Sequence, residues 1–395
     1  MDIMKGAFHL AWCYVASYRA RTGLLALALG LTMALPLMVK SFVSLAQTEL
    51  RARAGATPLV LGAKGSAMEL TLNALYFRRR GVEPINAGQS QSIQLTGLAD
   101  AIPLYVRFHS QEAPIVGTTL EYFAFRQLKV IEGRMMGRLG DCVVGAKLAK
   151  ERGLHVGDAV LSSPEQVFDL AGVYPLKMHV AGILAESHGM DDHAIFVDVK
   201  TTWLMEGIAH GHDDVVITAD ATAVQERQPD NVVASKAVRM FSEVTDGNIG
   251  SFHFHGDMKT YPLSAVLVLP RDAKAQAILL GRYQDKPDGL QLIQPAHEMD
   301  GLLSMLFQAE QLAIVLLSVL GIAVLFIAAL VFALSFRMRR QEFRTLENLG
   351  IARSTLIQVK AFEVIMVLVL ASTVVLVTMV MIAQWGVGLV RFGLQ

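Results

Sequence analysis

The sequence has 395 residues, and its 35 Lys and Arg residues are balanced by 35 Asp and Glu residues, so the formal net charge is zero. This balance gives no electrostatic reason to expect a nucleic-acid partner. Hydrophobic residues make up 53% of the chain and only 2 cysteines are present, which excludes a disulfide framework as the basis of the fold.

Residues 1–21 precede the first long apolar run and have an amphipathic pattern. Phe8, Ala11, Trp12 and Val15 recur at the spacing of one helical face. A helix with such a face lies along the membrane surface rather than crossing it. We therefore predict an interfacial amphipathic helix at the N-terminus.

Three long apolar runs follow, at residues 22–39, 311–336 and 364–390. A helix needs about 20 apolar residues to cross the hydrocarbon core of a bilayer. The first helix extends to residue 48, because Lys40 near its end can reach the interface. The sequence thus predicts transmembrane helices at residues 22–48, 311–336 and 361–390. The alternative for the first run is a cleaved signal peptide, for which the segment that precedes it is too long.

Basic residues beside the apolar runs predict the orientation of the chain, because short basic segments are usually cytoplasmic. They precede the first run or lie between the second and third: Lys5, Arg19, Arg21, Arg337, Arg339, Arg340, Arg344, Arg353 and Lys360. Residues 49–310 and the tail at 391–395 are then outside the cytoplasm. Cys13 and Cys142 fall on opposite sides of the membrane in this topology and cannot pair.

The 49–310 segment is longer than the chain that a single hydrophobic core usually supports. Its sequence patterns predict both helices and strands. Predicted helices cover residues 63–77, 142–152, the polar stretch 220–258, and 272–280. Predicted strands cover residues 92–96, 104–109, 116–122, 177–184, 194–199 and 264–270. From residue 297 a rigid stalk is expected to lead into the second apolar run. We predict a membrane α-helical protein with a large extracytoplasmic α+β domain of two lobes, the second at about residues 80–200.

The segment between the second and third runs, residues 337–360, carries the clearest motif. Basic residues open it, Phe343, Leu346 and Leu349 then form an amphipathic turn, and Gly350 breaks the pattern. A short helix of this kind can lie along the cytoplasmic face and seat on a partner protein. The alternative is an ordinary basic cytoplasmic loop, which the charge alone does not distinguish from it.

The spacing of Arg339, Glu342, Leu346 and Gly350 resembles the coupling helix of the MacB, LolC and FtsX-like permease family of ABC transporters. Residues 10–14, the LGAKGS turn at 61–66 and the stretch 144–160 are also similar to that family. The resemblance implies that the segment docks into a nucleotide-binding subunit through Arg339, Glu342, Phe343, Leu346 and Gly350. The usual member has a fourth membrane helix, so either a three-helix branch or a truncated chain is implied.

What the resemblance implies is a permease subunit of the bacterial inner membrane, which transmits ATP-driven motion of a separate ATPase dimer to a periplasmic domain. The expected cargo is a lipoprotein, a peptide or an amphipathic compound. Expected partners are the ATPase, which would carry ATP and Mg²⁺, a second copy or a related permease, the lipid bilayer and a periplasmic protein. The alternative is an FtsX-like regulator that activates a cell-envelope hydrolase without moving cargo.

Enzymatic chemistry in this chain has no positive support. The turn at residues 62–66 lacks the spacing of a phosphate-binding loop, and no Ser-His-Asp, Cys-His or paired-carboxylate arrangement has an interpretable spacing. We therefore expect no catalytic residues and no cofactor in this chain.

Histidines are concentrated in the predicted outer domain, beside several aspartates. His253 and His255 would share one face if residues 251–255 form a strand, and His210 and His212 could complete a set of ligands. The pattern suggests a zinc site, and with it a metal-handling receptor as a second alternative function. Exposed polar loops also collect His and Asp for solubility, so a solvated surface is the other interpretation.

Overall fold

The computed structural model describes residues 2–78, 82–163, 175–211, 224–228, 231–234, 242–284 and 289–393. The chain forms two compact units, one made of Met1–Glu49 with Gly301–Gln395 and the other of Leu50–Asp300. The described helices are α1 (Asp2–Ser17), α2 (Arg19–Gly55), α3 (Ala67–Tyr76), α4 (Gly88–Leu95), α5 (Leu120–Arg126), α6 (Ala146–Arg152), α7 (Val199–Met205), α8 (Ala273–Tyr283), α9 (Pro295–Met338), α10 (Arg340–Asn348) and α11 (Arg353–Gly393).

The described strands are β1 (Leu59–Ala63), β2 (Ile85–Asn86), β3 (Ala99–Ser110), β4 (Ala113–Thr118), β5 (Val130–Gly133), β6 (Asp141–Val144), β7 (Ala159–Leu161), β8 (Leu176–Leu184), β9 (Ile195–Asp198), β10 (Ala209–Gly211), β11 (Val224–Gln228), β12 (Asn231–Ala234), β13 (Ser242–Glu243), β14 (Phe252–Phe254), β15 (Pro262–Leu263), β16 (Ala265–Pro270) and β17 (Leu290–Ile293). All of them belong to the Leu50–Asp300 unit.

The helices α2, α9 and α11 contain the three predicted apolar runs, and each is long and apolar enough to cross a membrane. Leu316, Phe326 and Leu330 of α9 are exposed within the chain itself. An exposed apolar surface of this size needs a partner or a lipid environment. The predicted helices are therefore present, and α2 continues beyond residue 48 to Gly55.

The predicted N-terminal helix is also present as α1, which packs on α11. Ala7 and Ala11 are buried against Val359, whereas Phe8 and Trp12 are about half exposed. The large apolar side chains of α1 are thus available to a membrane surface, and its small ones allow the two helices to lie close together.

Small residues set the packing of the long helices. Ala26 and Leu29 of α2 form one buried cluster with Ala328 of α9 and with Val367 and Ala371 of α11. Gly30 of α2 comes so close to α11 that a Cβ atom placed there would lie 2.7 Å from Val374 Cβ and 2.8 Å from the Ala371 carbonyl oxygen. Apolar helices in lipid associate through such close backbone contacts, because lipid gives no hydrophobic drive between them.

The Leu50–Asp300 unit is built on one sheet of eleven strands, and its main path runs β13-β8-β6-β9-β4-β3-β16-β1-β17. The long strand β3 joins the two halves: residues 99–104 pair with β16, and residues 105–110 pair with β4 across a register shift. Fully buried side chains such as Leu61, Tyr105 and Ile115 fill its core. The α+β class is as predicted, but the two predicted lobes share this sheet and are not separated as units.

Several predicted elements agree with the structure. The helix predicted at 63–77 begins at residue 67, because the Ser66 hydroxyl accepts a hydrogen bond from the Glu69 backbone and caps it. Asp272 caps α8 in the same way. The strands predicted at 177–184, 194–199 and 264–270 correspond to β8, β9 and β16, and Gly153 ends α6 in the left-handed conformation.

Other predicted elements were wrong. Residues 92–96 were expected as a strand and form the end of α4 instead, where Ile93 is buried against β3 and the polar residues face out. The strand predicted at 116–122 ends at Thr118, after which α5 begins. Cys142 to Val144 form β6 rather than the start of a helix, because this short apolar run is buried between β8 and β9.

The polar stretch 220–258 was expected to be helical, and its described parts are not. They contain β11, β12, β13 and β14 together with a short 3₁₀ turn at Ile249–Ser251. The hairpin of β11 with β12 and the pairing of β10 with β14 supply the backbone hydrogen bonds. Composition misled the prediction, because short strands such as β11 (VQERQ) and β12 (NVVA) show no apolar alternation that would reveal them.

A Cβ atom at Gly30 should separate α2 from α11. We expect Gly30→Ala to lower the stability of the detergent-solubilised chain by about 1–3 kcal/mol, a typical cost of overpacking, because one of the two clashing atoms is backbone. The measurement is the thermal midpoint in detergent. Gly23→Ala on the same helix is the control, since nothing lies within 4 Å of that position, and an equal effect of both substitutions would contradict the packing.

Candidate functional site

A sharp elbow joins α9 to α11, and the short helix α10 forms its arm. The helix α9 ends at Met338, α10 starts at Arg340, and Gly350 closes the arm with φ of +94°. A residue with a Cβ is strained at this φ, so glycine suits the position. The Ile351 amide donates to the Leu346 carbonyl at 3.1 Å, which ends α10 before α11 begins.

Arg339 anchors the elbow from inside. Its side chain is buried and forms an ion pair with the buried carboxylate of Glu363 on α11. The guanidinium carbon lies 4.2 Å from the ring centre of Tyr14 and 5.6 Å from that of Phe343. A buried arginine is tolerated only with such a partner, since an unpaired one costs several kcal/mol. Among the described residues, Arg339 Nε and Nη1 have no hydrogen-bond partner, so Glu363 is its main support.

The N-terminal helix contacts the same elbow. The Tyr14 hydroxyl donates to Glu342 Oε2 at 3.2 Å, and the rings of Phe8 and Phe362 meet edge to face at 5.7 Å. Burial raises the pKa of Tyr14, and the Glu342 carboxylate raises it further, so the phenol remains a neutral donor at physiological pH. The elements α1, α9, α10 and α11 therefore meet at one point.

The five residues predicted to couple this segment to a partner divide into two groups. Arg339 and Phe343 are 6% and 7% exposed, so they hold the elbow and do not form its outer surface. Leu346 is half-buried, while Glu342 and Gly350 are exposed. The exposed residues of α10 and its C-cap that were not among the five predicted coupling residues are Gln341, Arg344, Thr345, Asn348 and Leu349. Leu349 is 76% exposed, which leaves an apolar side chain at the tip of the arm.

A second buried ion pair lies in the Leu50–Asp300 unit, at the end of α2. Arg53 Nη1 donates to Asp191 Oδ2 at 2.6 Å and Nη2 donates to Asp191 Oδ1 at 3.0 Å. Tyr122 donates its hydroxyl to Asp191 Oδ1 at 2.6 Å and accepts from Arg53 Nη2 at 3.0 Å. Arg53 also donates to the Leu75 carbonyl. The last turns of α2 are thus tied to α3, to α5 and to the segment between β8 and β9.

Arg53 and Asp191 each stabilise the charged form of the other. Burial disfavours the charge of Arg53, but the Asp191 carboxylate outweighs this effect and the pKa of Arg53 lies above its ordinary value. Burial likewise disfavours the charge of Asp191, but Arg53 and the Tyr122 hydroxyl hold its pKa below the ordinary value. Both groups are therefore charged at neutral pH, in bidentate geometry.

Sequence reasoning did not single out this pair. Arg53 lies just beyond the residue at which the first apolar helix was predicted to end, and Asp191 is one of the aspartates that lie beside histidines in the outer domain. Nothing local links residues so far apart in the chain. The sequence held one signal for the longer helix: Arg53 and Ala54 continue the helical pattern of α2 beyond the apolar run.

The histidines predicted as metal ligands are only partly brought together. The rings of His253 and His255 lie 4.4 Å apart, centre to centre, and His253 is opposite His210 in the pairing of β14 with β10. His253 Nδ1 lies 3.1 Å from the Ser251 carbonyl oxygen. The side chain of His210 and all of His212 lie outside the described residues, so a four-histidine site stays a prediction.

The sequence profile of the MacB-like periplasmic core domain matches residues 23–234, more than half of the chain. Among solved structures, the extracellular domain of the noncanonic ABC-type transporter YknZ from Gram-positive bacteria is similar at 12% identity and a TM-score of 0.33, over 60% of this chain and 98% of that one. The periplasmic region of MacB from Actinobacillus actinomycetemcomitans is similar at 10% identity and a TM-score of 0.33, over 62% and 92%. No curated protein gives a significant match.

Neutralising Asp191 should destabilise the fold, because Arg53 would then be buried without a charged partner. We expect Asp191→Asn to lower the free energy of unfolding at pH 7 by about 3–5 kcal/mol, because a buried arginine loses its partner. The low pKa of Asp191 means that the ion pair contributes fully above the unfolded pKa of about 3.9 and is lost as the pH falls through the folded value. The difference between variant and wild type should therefore shrink below about pH 4.

Denaturant unfolding of the full chain in detergent, followed by tryptophan fluorescence, measures both effects. Asp300→Asn is the matched control, because Asp300 pairs with Arg51 on the surface of the same unit, with both side chains more than half exposed. Such a pair contributes about 0–1 kcal/mol. Equal losses in the two variants, or a loss in Asp191→Asn that persists in acid, would show that Asp191 does not support Arg53.

Proposed function

This chain belongs to the MacB/FtsX-like ABC transporter permease family, and from that premise we propose that it is a permease subunit that passes motion from a separate ATPase to its outer domain. The cargo class that suits such a subunit is a lipoprotein, a peptide or an amphipathic compound, exported or extracted outside the cytoplasm. ATP and Mg²⁺ belong to the ATPase in this proposal, and this chain performs no chemistry of its own.

The observation that carries the proposal is the geometry of the elbow. A short helix with a polar, exposed outer face and an exposed apolar tip is held by a buried arginine and by aromatic rings. A loop that only connected two helices would need neither the buried charge nor the tight closure at Gly350. The arrangement makes α10 a rigid arm whose outer residues can receive a partner.

The proposed topology follows from the basic residues around the long helices. Arg337, Arg340, Arg344 and Arg353 lie at the elbow, so the elbow is cytoplasmic and accessible to an ATPase. The Leu50–Asp300 unit is then outside the cytoplasm. In this orientation α10, which would contact the ATPase, and the Leu50–Asp300 unit, which would contact cargo, lie on opposite sides of the membrane.

The proposed transmission of motion to the outer domain runs along α2. The helix α2 spans Arg19 to Gly55 as one element with Pro36 inside it, and its last turns carry Arg53, which donates two hydrogen bonds to Asp191. A displacement of α2 along its axis would be passed to the β8–β9 segment through this ion pair. The three long apolar helices that the structure describes in each chain are too few to enclose a channel, so the proposed work is mechanical. Because ABC ATPases act in pairs, a second permease subunit is part of the proposal.

The outer face of α10 should be needed for ATPase binding. We expect the double variant Arg344→Glu with Leu349→Asp to reduce the ATPase subunit that co-purifies with the chain, and the stimulated ATP hydrolysis of the complex, at least tenfold. The reason is that a reversed charge and a buried carboxylate would both oppose docking. Neither side chain is buried in the chain itself, so folding and membrane insertion should be unchanged.

The control carries the same chemical changes on the outer unit, at Lys150→Glu with Leu95→Asp, because both positions are exposed there. The measurements are the amount of co-purified ATPase per chain and the ATP turnover in proteoliposomes. Full binding and full turnover in the α10 variant would refute the docking role, and equal losses in the control would trace the effect to general damage.

A further inference from the structure

We propose that Glu186, His188 and Asp192 form a binding site for a divalent transition metal, with Zn²⁺ the ion that fits best. They lie in the segment between β8 and β9, and each offers one ligand atom, all of them within 4.8 Å of one another. The inference does not rest on the transport function. It also differs from the histidine set predicted from the sequence, which involves β10 and β14.

A buried carboxylate oxygen is the observation that points to a ligand. Asp192 is 1% exposed, and its Oδ1 accepts hydrogen bonds from the Ser187 amide at 2.7 Å and the Ser187 hydroxyl at 2.8 Å. Its Oδ2 is buried and has no hydrogen-bond partner among the described residues. Buried polar atoms are nearly always satisfied, and a cation held with Glu186 and His188 would satisfy this one.

The local structure fixes Asp192 and leaves the other two ligands adjustable. The backbone at Asp191 and Asp192 packs directly on Gly145, where an added Cβ atom would lie 2.3 Å from the Asp191 carbonyl oxygen. In contrast, the side chains of His188 and Glu186 are 70% and 49% exposed, and His188 Nδ1 lies 3.2 Å from Glu186 Oε1. Neither side chain is held by packing, so both have room to close on a metal that the buried carboxylate holds.

The ligand types select the metal. Imidazole nitrogen favours zinc and other transition metals, whereas Ca²⁺ and Mg²⁺ prefer sets made only of oxygen ligands. With Zn–N and Zn–O distances of about 2.0–2.2 Å, the exposed side chains need to move inward only by about an ångström or two to reach the ion. Three protein ligands leave a fourth tetrahedral position for water or for a donor from another molecule.

A metal at this site would restrain Asp191, the residue that pairs with Arg53 of α2. Asp191 lies directly before Asp192 in the chain and carries the buried ion pair to Arg53. Zinc bound at Glu186, His188 and Asp192 would tie the β8 end of this segment to the residue that follows Asp191. The free energy of metal binding would thereby restrain the backbone that presents the Asp191 carboxylate.

Titration of the full chain with ZnCl₂ tests the proposal, using chelator-treated protein in detergent and isothermal calorimetry. We expect one strong site per chain, and at least tenfold weaker binding in His188→Ala and in Glu186→Gln. Both substitutions are at exposed positions, so the thermal midpoint in chelator should not change. Co²⁺ in place of Zn²⁺ should give visible absorption bands in the wild type that are lost in His188→Ala.

Two control variants separate this site from other histidines. His155→Ala removes an exposed histidine that also lies beside a carboxylate, that of Asp158, and His253→Ala with His255→Ala removes the adjacent pair on β14 and after it. Zinc binding that both controls retain and His188→Ala loses supports the site. Absence of a stoichiometric site in the wild type, or a site that survives His188→Ala, would overturn it.

Discussion

Two buried arginines each have a carboxylate beside them, and these two ion pairs organise both units of the chain. Arg339 and Arg53 are each removed from water, and each meets a buried acidic partner, Glu363 and Asp191. The alternative, an unpaired guanidinium in a low-dielectric interior, costs more than most single contacts can return. Each pair therefore fixes two segments: the junction of α9 and α10 to α11, 24 residues along the chain, and the end of α2 to the β8–β9 segment, 138 residues along.

The two ion pairs also explain why aromatic residues surround each arginine. Around Arg339, the rings of Tyr14, Phe336 and Phe343 cover the guanidinium faces, which places an aromatic residue on each of three helices. Around Arg53, Tyr122 supplies a hydroxyl that bonds the arginine and the aspartate together. Planar stacking on aromatic faces and fork-like hydrogen bonds both suit arginine, whereas the ammonium group of lysine is not planar and has no fork.

The long helices and the central strands could be predicted because their signals are local. An apolar run such as residues 311–336 contains its own evidence for a helix that crosses lipid, and the β-branched residues of β8 indicate a buried strand. The end of α4 was mistaken for a strand because Ile93 and Leu95 alternate with polar residues over too short a stretch to reveal the period. The helix that contains them is decided by packing on β3, which no local pattern encodes.

The short helix and the break of the elbow could be predicted for the same reason, whereas the buried contacts inside the elbow could not. The motif from Arg339 to Gly350 marks a short helix and a break, both of which follow from neighbouring residues. That Arg339 points inward to Glu363, and that Asp191 meets Arg53, depends on the tertiary fold. Charge and spacing place an arginine near a membrane interface equally well whether it faces a partner or the core.

The kind of contact bears on the proposed transmission of motion. Apolar side chains slide past one another at little cost, since dispersion and burial have no preferred direction. A bidentate pair such as Arg53 with Asp191 has a fixed geometry, and moving one partner by an ångström strains two hydrogen bonds at once. The long helices of this chain pack on one another through small apolar residues, which permit adjustment. The buried ion pairs hold α2 and the start of α10 in fixed geometry, at the two positions where the proposed function requires a displacement to be passed on.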